Sequence, residues 1–316
     1  MTHHEAPFGP KGWTPERLGD QGGKTFAITG ANVGLGYEAS RLLLARGASV
    51  VMLCRNPRKA EEAMASLRGS CRDGATVQLV RMDLASLRSV SEAAERVKQV
   101  APRLDALICN AAIAQVATRR LTPDGFESQL GVNHLGHFLL SGLLFEHIEA
   151  ASGRIVVVGS MGYNMGLKRI RFEDLNFDKE YSAWAAYAQS KLAQMMSAYE
   201  LERRVREAGG SVGVHVCHPG WSKTTLVEEE GSLATRLMLA VMAPFMAQSA
   251  ERGSWPEVLC ATESDLQPSG FYGPTGMGYF RGPVGACELK AHALDRDAAR
   301  QLWSVSEEMV GLRWSP

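Results

Sequence analysis

The 316-residue chain carries no excess of charge, since 34 Lys and Arg balance 34 Asp and Glu. Such a balance supplies neither the basic stripe that follows a phosphate backbone nor an acidic tail for a basic partner. Nucleic-acid binding is not expected. Cysteine is sparse as well. The six, at 54, 71, 109, 217, 260 and 287, form no CxxC pair and no close-spaced framework of the kind that staples small secreted domains. Cys54, Cys109 and Cys217 each close an apolar run and read as small buried side chains. Long apolar stretches are missing too. Each is interrupted by charge or glycine before the roughly 18 residues that a membrane span requires. The opening MTHHEAPFGPKGWTPERLGDQGG has no apolar core of signal-peptide type. The expectation is a reduced, cytoplasmic protein without stable membrane insertion.

What is present is an alternation of apolar runs with helical periodicity. Residues 1–23 are polar, rich in Gly and Pro, and read as an arm. From there, strands are expected at 24–29, 49–54, 77–81, 104–109, 154–158, 212–217 and, briefly, 271–272. Helices are expected over 34–46, 57–67, 87–100, 126–150, 182–208 and 295–310. Continuous apolar strands between amphipathic helices imply βαβ units with a parallel sheet covered on both faces. With right-handed crossovers, residues 24–316 become one α/β domain, a doubly wound Rossmann fold on a mostly parallel seven-stranded sheet. The Met-rich stretch 233–250 is open to three readings: a lid over an apolar substrate, a membrane-touching helix, or plain core. Met238, Met242 and Met246 would give it an adaptable surface.

The segment Gly30-Ala31-Asn32-Val33-Gly34-Leu35-Gly36 lies between the first strand and the first helix. Gly30 permits a tight turn, Gly34 lets backbone N–H groups approach a pyrophosphate, and Gly36 lets helix and strand pack closely. The positive end of the helix then faces the phosphates. An NAD-preferring strand two usually ends in a carboxylate for the ribose 2′-OH. Here it ends Cys54-Arg55-Asn56. Arg55 suits the 2′-phosphate of NADP(H) in charge and geometry, with Arg58 and Lys59 nearby; the alternative is a solvated surface arginine. Tyr187 and Lys191 lie four apart on an expected helix and so share a face. An ammonium beside a phenol favours the phenolate and lowers its pKa, which suits proton transfer near neutral pH.

With Ser160 upstream, Tyr187-Ala188-Gln189-Ser190-Lys191 resembles the active-site motif of the short-chain dehydrogenase/reductase family. The rest of the pattern follows in order: TGANVGLG for the glycine loop, Asp83-Leu84 after the third strand, Asn110-Ala111-Ala112 after the fourth, Asn133 in VNHLGHF, and Pro219-Gly220 with Thr224. Two positions depart from it. Ala112 stands where glycine is usual, and Ser222 where a β-branched apolar residue is common. Within the family, the chain is most similar to the retinol dehydrogenase and protochlorophyllide reductase-like branch.

The resemblance implies NADP(H) as cofactor. It implies that Tyr187 is the proton donor, Ser160 the carbonyl-oxygen ligand, Lys191 the holder of the nicotinamide ribose, and Asn133 the holder of a water that links Lys191 to solvent. Asp83 and Leu84 would touch the adenine. Pro219, Gly220, Ser222 and Thr224 would embrace the nicotinamide carboxamide. The implied reaction is reduction of a lipophilic aldehyde or ketone, reversible with alcohol oxidation. A non-catalytic NADP(H)-binding scaffold and a C=C reductase are the alternatives. The resemblance also implies a substrate loop at about 222–252 and a homodimer or homotetramer paired through the helices at 126–150 and 182–208. Trp221 either lines the substrate pocket or is ordinary packing. His134 with His137, and His215 with Cys217 and His218, show metal-like spacing, but no compact further ligand set accompanies them, and no metal is expected.

Overall fold

The computed structural model describes residues 8–221 and 248–316. Ser222, Thr224 and most of the expected substrate loop, with its three methionines, lie outside the described residues.

The strands are β1 (Thr25–Thr29), β2 (Ser49–Cys54), β3 (Val77–Arg81), β4 (Ala106–Cys109), β5 (Arg154–Val158), β6 (Gly213–Cys217), β7 (Phe271–Pro274) and β8 (Val284–Ala286). Among the described residues they form one sheet of order β3-β2-β1-β4-β5-β6-β7-β8. β1 to β7 run parallel, and β8 is antiparallel to β7. The first six follow the doubly wound order expected for a dinucleotide fold, with its switch point between β1 and β4. The sheet has one strand more than expected. Three residues in a Gly- and Pro-rich stretch have no readable period, and only pairing with β7 makes β8 a strand.

The longer helices are α1 (Gly34–Leu44), α2 (Pro57–Arg68), α3 (Leu87–Val100), α5 (Gly136–Glu149), α6 (Ala183–Ala208), α7 (Ala250–Thr262) and α8 (Arg296–Val310), and α4 (Ser128–Leu130) is a single short turn. Caps explain most of their starts: the side chains of Asn56, Ser86, Ser182, Ser249 and Asp295 each accept a hydrogen bond from a first-turn N–H. The expected helix 126–150 runs unbroken from Ser128 to Glu149 but is not α throughout. Gly131–Leu135 forms a π-helical turn, in which the Gly136 N–H reaches back five residues to the Gly131 carbonyl. Hydrophobic periodicity does not register one extra residue per turn. α7 was not expected at all, because Pro256 interrupts its pattern.

Two apolar cores flank the sheet. One lies under α3, α5, α6 and α8, with Leu107, Val157, Met195 and Trp303 at its centre. The other lies under α1, α2 and α7, with Phe26, Ile28, Met52 and Leu259. The lead-in is docked on the second: Trp13 is fully buried, its backbone N–H donates to the Val284 carbonyl at 2.8 Å, and its indole N–H to Glu263 at 2.7 Å. On the other face the C-terminal tail closes over α5. A Cβ at Gly142 would lie 2.8 Å from Leu312 and 3.0 Å from Trp314, so glycine is what admits the tail. Trp303 and Trp314 both make edge contacts with Phe138.

Candidate active site

The site lies at the carboxyl ends of the central strands, where a doubly wound sheet opens its crevice. β1 ends at Thr29 and turns through Gly30, whose φ of +69° is left-handed. A Cβ at Gly36 would sit 2.6 Å from the Asn110 amide nitrogen and 2.8 Å from the Gly30 carbonyl, so a side chain there would break the loop. Asn110 in turn donates to the Thr29 carbonyl at 2.8 Å, and the Ala111 N–H to the Thr29 hydroxyl at 2.9 Å. The segment after β4 thus braces the loop after β1. Gly136 is just as constrained: its Cβ would meet the Leu84 carbonyl at 2.5 Å.

The start of α1 differs from the capped helices. Its N-cap is Val33, which provides no side-chain hydrogen bond and is exposed. The first-turn N–H groups therefore have no side-chain cap, in a cradle that glycines keep open. This arrangement fits a pyrophosphate. Asn32, Leu35 and Ala112 are half-buried around it, and Arg55 is exposed just beyond β2. Arg58 is paired with Glu62 at 2.8 Å. Asp83 is half-buried and accepts the Ala85 N–H at 3.0 Å. Pro219 and Gly220 follow β6, and Gly220 (φ +65°) abuts the Phe280 carbonyl, where a Cβ would come to 2.3 Å. Trp221 packs its ring against Phe280, with centroids 6.0 Å apart, and its backbone N–H donates to the Phe280 carbonyl.

Ser160, Tyr187 and Lys191 enter from two elements. Ser160 follows β5, and its hydroxyl accepts the Gly162 N–H at 3.1 Å. Tyr187 and Lys191 lie near the start of α6. Gly162 shows how close the first two are: a Cβ there would meet Tyr187 Cε1 at 3.0 Å and Ser160 Oγ at 3.2 Å. Burial pushes the Tyr187 phenol above its ordinary pKa, and the hydrogen bond with Ser160 opposes that. The expectation that Lys191 lowers the phenol is not met here. The Lys191 ammonium, 2% exposed, donates to the Val158 carbonyl at 2.9 Å and to Gln194 Oε1 at 3.0 Å. Burial pulls its pKa down to about 8, against the opposing pull of Cys217, Cys109 and Glu257.

Asn133 is fully buried in the π-helical turn, a device often found at functional positions. Its side chain accepts from the Ile113 N–H at 2.8 Å and donates to the Ile113 carbonyl and the Ser190 hydroxyl, both at 2.9 Å. It binds the chain after β4 to α6, rather than reaching the Lys191 ammonium itself.

The histidines have other partners. His134 meets the Ser306 hydroxyl at 2.8 Å, His137 meets Thr29, and His218 faces the Cys287 sulfur at 3.4 Å. Among the described residues, no cluster of three or more His, Cys, Asp or Glu is placed to hold a metal. Sequence reading missed a group beside Tyr187. Trp184, one turn earlier on α6, has its ring 5.9 Å from that of Tyr187 and donates its indole N–H to the Met165 carbonyl at 3.1 Å. Trp184, Met165 and Leu167 are exposed apolar side chains. An outward tryptophan one turn before the tyrosine was the available signal.

An uncapped, glycine-kept helix start together with a Ser–Tyr pair and a buried lysine fits a nucleotide-dependent oxidoreductase. The family model described as short chain dehydrogenase matches residues 24–172. Mouse retinol dehydrogenase 14 is 40% identical over 96% of this chain and 92% of its own length. Human retinol dehydrogenase 12 is 36% identical over 92% of this chain and 88% of its own. A solved structure of an uncharacterized Mycobacterium paratuberculosis protein is 36% identical, with a TM-score of 0.79 over 96% of this chain and 99% of that one. The chain belongs to the short-chain dehydrogenase/reductase family, in its retinol dehydrogenase branch.

Proposed function

We propose that this oxidoreductase reduces a lipophilic aldehyde or ketone with NADPH, and oxidises the corresponding alcohol in reverse. The observation that carries the reading is the convergence of Ser160 Oγ and the Tyr187 ring on the same small space beside Gly162, next to the exposed apolar pair Trp184 and Met165. The nicotinamide cofactor supplies the hydride when bound. The chain's own residues do the rest. Ser160 donates a hydrogen bond to the carbonyl oxygen and stabilises its growing charge. Tyr187 delivers the proton to that oxygen. Lys191, held by Val158 and Gln194, would offer its remaining N–H to the ribose hydroxyls of the bound cofactor, and its charge would favour the phenolate. Asn133 keeps the segment after β4 fixed against α6. Arg55, exposed at the end of β2, receives the 2′-phosphate.

Tyr187→Phe tests the chemistry. NADPH consumption with a panel of apolar carbonyl substrates falls to background while cofactor fluorescence still reports binding; unchanged turnover removes Tyr187 from the reaction. Arg55→Asp tests the cofactor. It weakens NADPH relative to NADH, and an unchanged ratio removes Arg55 from the selectivity.

The six cysteines are free, in keeping with a reducing, cytoplasmic setting. Among the described residues, no helix is long and apolar enough to cross a membrane. Self-association as a dimer or tetramer through α5 and α6 would bring α8 and the C-terminal tail into the interface, since they already cover part of that face. Light scattering on the intact chain and on one truncated after residue 294 measures whether they promote or block it.

A further inference from the structure

We propose that His137 is a positioning residue that ties the catalytic helix α6 to the end of β1 and, through Gln194, holds Lys191. The inference rests on the reading of Lys191 given above.

His137 is 2% exposed and lies one turn beyond Asn133, just past the π-helical turn. Its Nε2 is 2.9 Å from the Thr29 hydroxyl, the same hydroxyl that accepts the Ala111 N–H. Its Nδ1 is 3.1 Å from the Asn133 carbonyl and 3.4 Å from the Gln194 amide nitrogen. The Gln194 carbonyl oxygen accepts from the Lys191 ammonium at 3.0 Å. One imidazole therefore touches the root of the glycine loop, the residue that braces the active site, and the residue that holds the lysine. Gln194 is 3% exposed and Thr29 fully buried, so these contacts are shielded from bulk water.

The ring is neutral at working pH. Burial, aided by the charge of Lys191, pulls His137 down to about 4. A neutral imidazole has one donor and one acceptor, so it selects among these partners. With the proton on Nδ1, the ring donates to the Asn133 carbonyl and accepts from the Thr29 hydroxyl. Gln194 is then left facing an N–H. With the proton on Nε2, the ring donates to Thr29, the Thr29 hydroxyl passes on to the Ile108 carbonyl at 3.4 Å, and Gln194 donates to Nδ1, which then gives up its hydrogen bond to the Asn133 carbonyl. Only this second tautomer gives an unbroken chain of donors and acceptors from Lys191 to β4. The titratable groups facing Lys191 are His137 on α5, Cys109 on β4, Cys217 on β6 and Glu257 on α7. None of these makes a hydrogen bond to its ammonium, so the fixed contact from a mobile side chain is Gln194.

The test compares His137→Phe, His137→Gln and Gln194→Leu with the parent, each first checked for folding by thermal melting. Without a held Gln194, the ammonium loses an acceptor and its charged form is less favoured. Carbon-13 NMR of labelled lysine is then expected to show Lys191 in the cofactor-free protein titrating at lower pH in His137→Phe and Gln194→Leu. His137→Gln, which keeps a donor and an acceptor, returns it towards the parent value. In turnover, kcat falls about tenfold in His137→Phe, its alkaline limb moves to lower pH, and KM for the carbonyl substrate is unchanged. A folded His137→Phe with the parent's Lys191 titration overturns the proposal. A parent with no turnover on any carbonyl sinks the functional reading alone, because the lysine titration needs no substrate.

Discussion

The first turns of α6 face two ways, and the two sides invert the usual arrangement. Outward, beside Tyr187, Trp184 is 37% exposed and stands next to Met165 at 58%. Inward, one to two turns later, Lys191 and Gln194 are sealed from water. A stable helix normally buries the apolar side chains and solvates the polar ones. On the function proposed above, the exposed apolar area beside Tyr187 is surface kept for a ligand, and the buried ammonium is charge kept in place at a cost in stability. On that reading, the contrast separates residues that meet substrate from residues that hold the machinery still.

Lys191→Met breaks the inward side most sharply. Turnover is expected to fall by about 100- to 10,000-fold, the range typical of lost acid–base assistance. Replacing a buried charge by an apolar chain of similar length does not lower the melting temperature. A loss of stability equal to the loss of activity would erase the distinction between the two sides. Further along α6, Arg204 lies over the Trp303 ring at 4.4 Å, and Trp303 itself is plain core. Trp303→Ala should cost about 3–5 kcal/mol in denaturant unfolding. The folded fraction keeps its KM and kcat.

Glu257 extends the inward comparison across the sheet. It is fully buried on α7, and among the described residues neither carboxyl oxygen has a hydrogen-bond partner. Burial pushes it up to about 8 from an ordinary 4.5, against the pull of Lys191. The folded chain thus keeps a proton that the unfolded chain releases at much lower pH. Its contribution to stability is complete below the unfolded value and is lost as pH rises through about 8. Glu257→Gln should flatten the decline of melting temperature over that window; an identical decline in the variant would assign it to other groups. On the outward side, Trp184→Ala gives the smallest effect. KM for a long apolar substrate rises about tenfold, equivalent to about 1.4 kcal/mol. A short aldehyde is unaffected, and stability moves by no more than about 0.5 kcal/mol. Equal effects on both substrates would place Trp184 in the machinery and not in the substrate wall.

Much of this was legible before the fold. β2, β3, β5 and α3 begin and end where apolar period and turn residues put them. Gly30, Gly34 and Gly36 marked the cradle because backbone conformation and close approach leave no other residue type room. The inner partners of Lys191 were not legible. Gln194 reads as one more polar residue on a long helix, and His137 as half of a metal-like pair. Trp184 and Met165 are nineteen residues apart, and only the loop after Ser160 brings them together.

The sequence by itself determined the order of strands and helices, the glycine cradle, and the presence of Ser160, Tyr187 and Lys191 in the family's order, because turn chemistry, strand alternation and helical period act over a few residues. Only the tertiary structure decided where the Lys191 ammonium rests, how the π-helical turn sets Asn133, that β8 extends the sheet, and that the C-terminal tail covers α5. Each of these depends on whether a buried polar group or an apolar face finds its partner, and those partners come from elements far apart in the chain.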